Sequence, residues 1–320
     1  MIDTLSDVLR TVRLSGAVFF SIEASAPWVA EAPPARKLGP LIMPRFEHVI
    51  EYLVVASGSC WGGVLGEPAI KLEAGDIIVF PQGDAHVISS TPGLRGGPDV
   101  EAASRASRGR VPVSISLNGG GKEHAHLICG FLGCDARPFH PLLATLPRVI
   151  HVPGEERPML RRLGELALAE SNEPKPGSET ALARLSELLF VEVVRGYLAK
   201  LPSEGTGWIA GLRDEHVGRA LQKMHERPAH TWTLGKLAKE AGSSRSVLAE
   251  RFTHLVGVPP IRYLAEWRIQ LAASLLRGGR SSLAEIATTV GYGSEAALSR
   301  AFKRSVGVAP AVYRRGPPTR

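Results

Sequence analysis

LAERFTHLVGVPP (Leu248–Pro260) and LSRAFKRSVGVAP (Leu298–Pro310) are two versions of one pattern, with Leu, Phe, Gly and Pro at four places each shifted by 50 residues. Upstream, Ala238 and Gly242 recur as Ala287 and Gly291, shifted by 49, so one residue is gained inside the second turn. A repeat of this size predicts two copies of one supersecondary unit. Leu and Phe four apart share one face of a helix, and the following Gly ends it. A shorter helix precedes each, Leu234–Glu240 and Leu283–Val290, joined by a turn at Gly242 or at Gly291-Tyr-Gly293, where positive φ is tolerated. Ser243 or Ser244 caps the first long helix and Ser294 the second, by accepting from free N–H groups. The spacing thus predicts helix-turn-helix units near 234–257 and 283–307. A longer helix over Ile261–Arg277 separates them, with Ile261, Leu264, Ala265, Ala272, Leu275 and Leu276 on its apolar side.

The charge distribution agrees. Residues 211–320 hold 18 Lys and Arg against 8 Asp and Glu, a balance of +10, whereas residues 1–210 hold 20 against 23. A basic module joined to a slightly acidic one suggests nucleic-acid binding at one end of the chain. Of 320 residues, 44% are hydrophobic and 22% charged, which excludes wholesale disorder. No apolar run reaches the 18 or so residues of a membrane span. The first residues, MIDTLSDVLR, carry acids where a signal peptide has a basic region, and three cysteines are too few for a disulfide scaffold. A cytoplasmic protein that binds no membrane is expected.

The segment 213–317 resembles the DNA-binding domain of AraC/XylS-type transcription regulators. The stretch VGYGSEAALSRAFKRSVGVAPAVYRR (Val290–Arg315) matches that family's signature at Gly291, Tyr292, Ser294, Arg300, Phe302, Lys303, Gly307, Pro310, Tyr313 and Arg314. The resemblance implies two recognition helices in successive major grooves, about 34 Å apart. It implies DNA contacts from Ser244, Arg245, Ser246, Ala249, Glu250 and Arg251 in the first unit. In the second they come from Ser294, Glu295, Ala296, Ser299, Arg300, Lys303 and Arg304. Arg300 would read guanine, Glu250 and Glu295 would accept from cytosine, and Arg251, Lys303 and Arg304 would meet phosphates. Small residues at 246 and 249 depart from better-known members and leave direct readout sparse there, or shared with Arg245.

The first 150 residues read differently. Short runs, Val18–Ile22, His48–Val55, Ile77–Phe80, Ala85–Ser89, Val113–Leu117 and His126–Phe131, are separated by turn residues such as Gly58, Gly62-Gly63 and Gly83-Asp84. That pattern predicts an all-β sandwich or barrel. Pro92–Arg110 and Asn118–Lys122 are read as mobile surface loops. Gly75, Pro81, Gly83 and His86 fit the second motif of the cupin barrel, with His86 pointing inward as a metal ligand or a hydrogen-bonded core residue. The strand His48–Val55 lacks the His-x-His pair of metal-binding cupins, so a complete three-His site is not expected. His124-Ala-His126 has ligand spacing but is read as incidental.

From about 156 the period becomes helical. Leu160, Leu163, Leu166 and Ala167 mark one helix; Ser178 caps a second, with Leu182, Leu185, Leu188, Leu189, Val193 and Val194. The fold expected is therefore α+β in two domains. These are a cupin-like barrel over 1–153, a helical linker over 154–207 that packs on it or pairs with a second copy, and the 213–317 domain.

The whole chain is similar to regulators with an N-terminal cupin-type sensor. Leu127–Asp135 resembles a segment of a subgroup that includes a regulator responding to reactive chlorine through cysteines, and Cys129 would match the cysteine there. Cys129 and Cys134 would pair only if the chain turned between Gly130 and Gly133; otherwise Cys129 is a buried small hydrophobe on a strand. Tyr52, His86, Cys129 and Cys134 are the candidates for effector or redox sensing. The resemblance implies a sequence-specific regulator, not an enzyme, that needs no cofactor. Its partners would be double-stranded promoter DNA, a small-molecule or oxidant effector, a second copy in a homodimer, and RNA polymerase. A cupin metalloenzyme is the alternative of another class, and an architectural DNA-binding protein with an inert barrel is the third.

Overall fold

The computed structural model describes residues 3–11, 14–44, 46–98, 113–135, 139–201, 205–279 and 281–315. It divides into two compact units, one formed by 14–134 with 146–200, the other by 1–13, 135–145 and 201–320.

The chain enters the second of these through α1 (Thr4–Thr11) and then builds the β-rich unit. Its strands are β1 (Ser15–Ser25), β2 (Val29–Ala32), β3 (His48–Ser57), β4 (Ser59–Val64), β5 (Ile70–Glu73), β6 (Ile77–Phe80), β7 (His86–Ser89), β8 (Val113–Asn118), β9 (His124–Cys134) and β10 (Ile150–Val152), with α2 (Ala35–Ile42) between β2 and β3. One sheet has the order β10-β6-β3-β9-β1-β8, the other β2-β7-β4-β5. All pairs are antiparallel except β1 with β8. Both sheets feed one core: Phe20, Leu53, Leu127 and Phe131 from the larger meet Cys60, Val64, Leu72 and Ile88 from the smaller. The six runs read from sequence fall in strands, save that Ala85 precedes β7, which begins at His86. The runs at β2, β4, β5 and β10 are additional. Gly62 and Gly63, expected in a turn, lie inside β4. A Cβ at Gly62 would come within 2.8 Å of Ile88 and 2.9 Å of Leu72, so the missing side chain admits the core. The expected loop at Pro92–Arg110 lies from residue 99 onward outside the described residues.

Two helices, α3 (Pro158–Asn172) and α4 (Ser178–Lys200), pack on the other face of the larger sheet. Gly16 of β1 permits this approach: a Cβ there would lie 2.6 Å from the Ala183 carbonyl. Tyr52 of β3 reaches across to hydrogen-bond Ser186 Oγ at 2.6 Å. Leu160, Leu163, Ala167, Leu182, Leu189, Val193 and Val194 are buried as expected, but Leu166 and Leu188 are 56% and 38% exposed. The buried stripe of α3 turns through Gly164 to Ser171 instead, because Gly164 lies against Val54.

The remaining unit is helical: α5 (Trp208–Arg213), α6 (Glu215–Glu226), α7 (Leu234–Glu240), α8 (Arg245–Val256), α9 (Pro260–Gly278), α10 (Leu283–Val290), α11 (Glu295–Val306) and α12 (Pro310–Arg315). Residues 202–204, near the end of the linker expected over 154–207, lie outside the described residues. The buried face of α9 is rotated from expectation. It comprises Tyr263, Leu264, Trp267, Ile269, Gln270, Ala272, Ala273 and Leu276, while Ile261 and Ala265 are exposed. Large aromatic rings at 263 and 267, overlooked in an aliphatic count, set that face. Ile269, Leu276, Ile286, Val290, Leu298 and Phe302 form the second helix-turn-helix core.

Candidate functional site

The two recognition helices are built alike. Ser244 Oγ accepts from the Val247 N–H at 3.3 Å and Ser294 Oγ from the Ala297 N–H at 3.2 Å, so both nominated serines are N-caps. Gly257 and Gly307 end the helices with φ of 83° and 87°. Leu248 with Phe252, and Leu298 with Phe302, are fully buried. That fixes the opposite face outward: Arg245, Ser246, Glu250 and Arg251 on α8, and Glu295, Ala296, Arg300, Lys303 and Arg304 on α11, are exposed, with Ala249 and Ser299 half-buried. Arg251 is tethered, since its Nε donates to Asp214 Oδ2 at 2.5 Å, the same carboxylate that caps α6. Arg245, Arg300, Lys303 and Arg304 form no ion pair among the described residues, so their charge is available to a polyanion. Val247 was not nominated; it is 48% exposed beside Ser246 and offers an apolar surface suited to a thymine methyl. Its apolar character hid it, because an outward Val reads as core in a sequence.

The second constellation lies within the β-rich unit. Phe20, Ile22, Leu38, Leu53, Ile88, Ile115, Leu117 and Phe131 wall a cavity of about 300 Å³, and Glu51, His86, Cys129 and Glu31 are its ionisable lining. His86 is buried and stacks on Phe80 with ring centroids 3.8 Å apart. Its Nδ1 lies 3.0 Å from the Asp84 carbonyl, which can only accept, so Nδ1 carries a proton and Nε2 faces Glu51 Oε1 at 3.4 Å. Burial alone would depress this imidazole; the Glu51 carboxylate outweighs it and holds the ring above its ordinary value. Glu31 is bound by Arg95 through two hydrogen bonds of 2.9 Å.

The four nominated sensing residues separate. His86 and Cys129 line the cavity. Tyr52 does not, since successive strand residues point to opposite faces: its neighbours Glu51 and Leu53 face the cavity, while its own ring covers Gly130 and bonds Ser186. Cys134 is buried five residues from Cys129 on β9, which runs straight through Gly130–Gly133. Five extended residues span about 16 Å, against the limit of about 7 Å for a bridge, so these cysteines do not pair within the chain. Burial pushes the Cys129 thiol well above its ordinary value, with Glu51 adding to the effect. Glu51 itself escaped nomination, although a single acid inside the apolar run of β3 was the available signal. Among the described residues no group of three His, Cys, Asp or Glu side chains is placed to hold a metal, and no helix is long and apolar enough to cross a membrane. His126 instead bonds Ser21 Oγ at 2.8 Å.

Residues 3–199 match the Cupin family and residues 237–316 the helix-turn-helix domain family. An AraC-like transcription regulator of Streptomyces antibioticus is 34% identical over 98% of this chain and 99% of its own length. The chain belongs to the AraC-like transcription regulators. A second relative in this group, the regulator AlkR of Acinetobacter baylyi, is 31% identical over 75% of this chain and 79% of its own. Among solved structures, the C-terminal domain of AraT, a response regulator from Geobacillus stearothermophilus, is 30% identical. It covers 33% of this chain and 89% of its own, with a TM-score of 0.32. An AraC-like regulator with this architecture binds DNA through its helix-turn-helix domain and is not an enzyme.

Proposed function

We propose that this AraC-like regulator reads promoter DNA through α8 and α11 and that a small molecule in the cupin-like cavity controls the reading. The observation that carries the proposal is a single chain holding both an outward cationic face, on which Arg245, Arg300, Lys303 and Arg304 have no ion-pair partner among the described residues, and an apolar-walled cavity in which Glu51 faces the buried His86. Arg300 is the residue for guanine, Glu250 and Glu295 accept from cytosine, and Lys303 and Arg304 meet phosphates. A small effector is favoured over an oxidant, because oxidation proceeds through the thiolate and the buried Cys129 thiol resists ionising. The effector acts by binding one arrangement of the domains more tightly than another. Pairing of two copies through α3 and α4 is supported by Met159, Leu166 and Leu188, which lie on these helices and are 49%, 56% and 38% exposed. RNA polymerase is the further partner in this reading.

Footprinting of the purified protein on its own upstream DNA at one fixed salt concentration tests it. A discrete footprint is expected, with Arg300→Ala losing about 5- to 150-fold in preference for the site over a guanine-substituted copy. Absence of any discrete footprint on genomic DNA overturns the proposal. If Cys129→Ser abolishes a reversible change on mild oxidation, the oxidant takes the place of the small effector.

A further inference from the structure

The cavity's chemistry identifies more than its existence. Its volume of about 300 Å³ equals roughly ten water volumes at about 30 Å³ each, which admits a molecule of about ten non-hydrogen atoms. The walls are aliphatic and aromatic, so most of that molecule must be apolar. The polar groups are unevenly supplied. Glu31 has its charge taken by Arg95 and an additional N–H from Gly97. Among the described residues Glu51 has one partner, the His86 ring at a long 3.4 Å, and its side chain is 14% exposed. A carboxylate has about four lone-pair sites, so Glu51 has acceptor capacity to spare. Among the described residues His86 is the cationic candidate on the lining, its Nε2 already faces Glu51, and none of the lining residues is Lys or Arg.

Resting on the small-effector reading above, we propose that the cavity takes a compact apolar molecule carrying one hydrogen-bond donor, a hydroxyl or an ammonium, which Glu51 accepts, and that it excludes carboxylates of the same shape. An apolar anion of that size would place its charge against Glu51 with no free cation among the described lining residues to answer it, in surroundings where an unpaired charge is costly. A donor-less hydrocarbon would fill the walls but leave Glu51 unserved. A hydroxyl would add one charge-assisted hydrogen bond, and an ammonium would add a charge of the complementary sign.

Four nearly isosteric probes test this on the full-length protein by calorimetric titration: 2-phenylethanol, 2-phenylethylamine, ethylbenzene and phenylacetate. The alcohol or the amine is expected to bind about tenfold or more tightly than ethylbenzene, with phenylacetate weakest. Glu51→Gln keeps an acceptor but removes the charge, so it should cost the amine about tenfold and the alcohol less, leaving ethylbenzene unchanged. The ordering of alcohol and amine distinguishes the two donors. Phenylacetate binding as tightly as the alcohol, or a donor preference that survives Glu51→Gln and Glu51→Ala, overturns the assignment of ligand class. Failure of all four probes to bind overturns it too. Should the variants fail to fold, the wild-type ranking of the four probes still decides. Binding with the expected ranking but no change in the DNA footprint would uphold the ligand class and overturn the regulatory reading on which it rests.

Discussion

Gly242 and Gly291 occupy equivalent turns of the two helix-turn-helix units, with φ of 69° and 86°. A side chain at either position costs about 1–2 kcal/mol in backbone strain. Their surroundings differ. A Cβ at Gly242 meets the far end of Arg219 at 3.1 Å, which can move, whereas one at Gly291 meets the Ala229 backbone at 2.6 Å, which cannot. Gly242→Ala should therefore lower stability by about 1–2 kcal/mol, and Gly291→Ala by about 1–3 kcal/mol more, read from denaturant midpoints. Equal losses at the two sites would refute the close approach at Ala229. Two buried histidines should titrate in opposite senses. His86 is raised above 6.5 because Glu51 outweighs burial; its contribution to stability is present below 6.5 and is lost as pH rises through its folded value. His225 is lowered below 6.5 because burial outweighs Asp7; its contribution is present above 6.5 and is lost as pH falls through its folded value. Ring proton resonances should show His86 titrating above 6.5 and His225 below it, and the reverse order would contradict both environments.

At the scale of the element, helices and strands were not equally legible. The helices of the repeat, Leu234–Glu240 and Leu283–Val290, carry their own boundaries in caps and turn glycines, because a helix satisfies its hydrogen bonds locally. Ser282 and Glu285 even form a reciprocal capping box at α10. Strands β2, β5 and β10 are three or four residues long and gain their bonds only from partners far along the chain, so their periodicity is too short to read. The caps also separate structural from DNA-contacting serines. Ser294→Ala should cost about 0.5–2 kcal/mol of stability while leaving the salt dependence of DNA binding unchanged, since its oxygen accepts from Ala297 N–H and a neutral hydroxyl releases no counterion. Arg304→Ala should do the converse: little change in stability and a drop of about one in the slope of log affinity against log salt. Filter binding between about 50 and 200 mM salt separates the two, and a reduced slope for Ser294→Ala would count against its role as a cap alone.

For the whole molecule, the helical unit takes in pieces from early in the sequence. Asp7 of α1 bonds His225 Nδ1 at 2.9 Å across 218 residues of chain, His225 Nε2 meets Tyr263 OH at 2.9 Å, and Trp208 donates to that same oxygen at 2.8 Å. Phe139 N–H donates to Gln270 on α9 at 3.0 Å, and Asp135 pairs with Arg277. Replacing Asp7 by Ala leaves the fully buried His225 ring short of a partner and should destabilise the helical unit by about 1–3 kcal/mol, although the substitution is remote in sequence. Loss of tryptophan fluorescence from Trp208 and Trp267 on heating measures it, and an unchanged midpoint would show that α1 adds nothing to this unit.

Local patterning along the chain was enough to place the two helix-turn-helix units, the basic end of the chain, the β-rich first half and the outward positions of the recognition helices. Those features follow from local periodicity, capping and charge, which each residue carries wherever it lies. Tertiary structure alone decided that Glu51 joins His86 in an apolar cavity while Tyr52 turns away. It also decided that Cys129 and Cys134 stand far apart on one straight strand, and that α1 belongs with α6 and α9. Each of these depends on which strands pair and in what register. Register is set by contacts between residues tens to hundreds of positions apart, which no local pattern specifies.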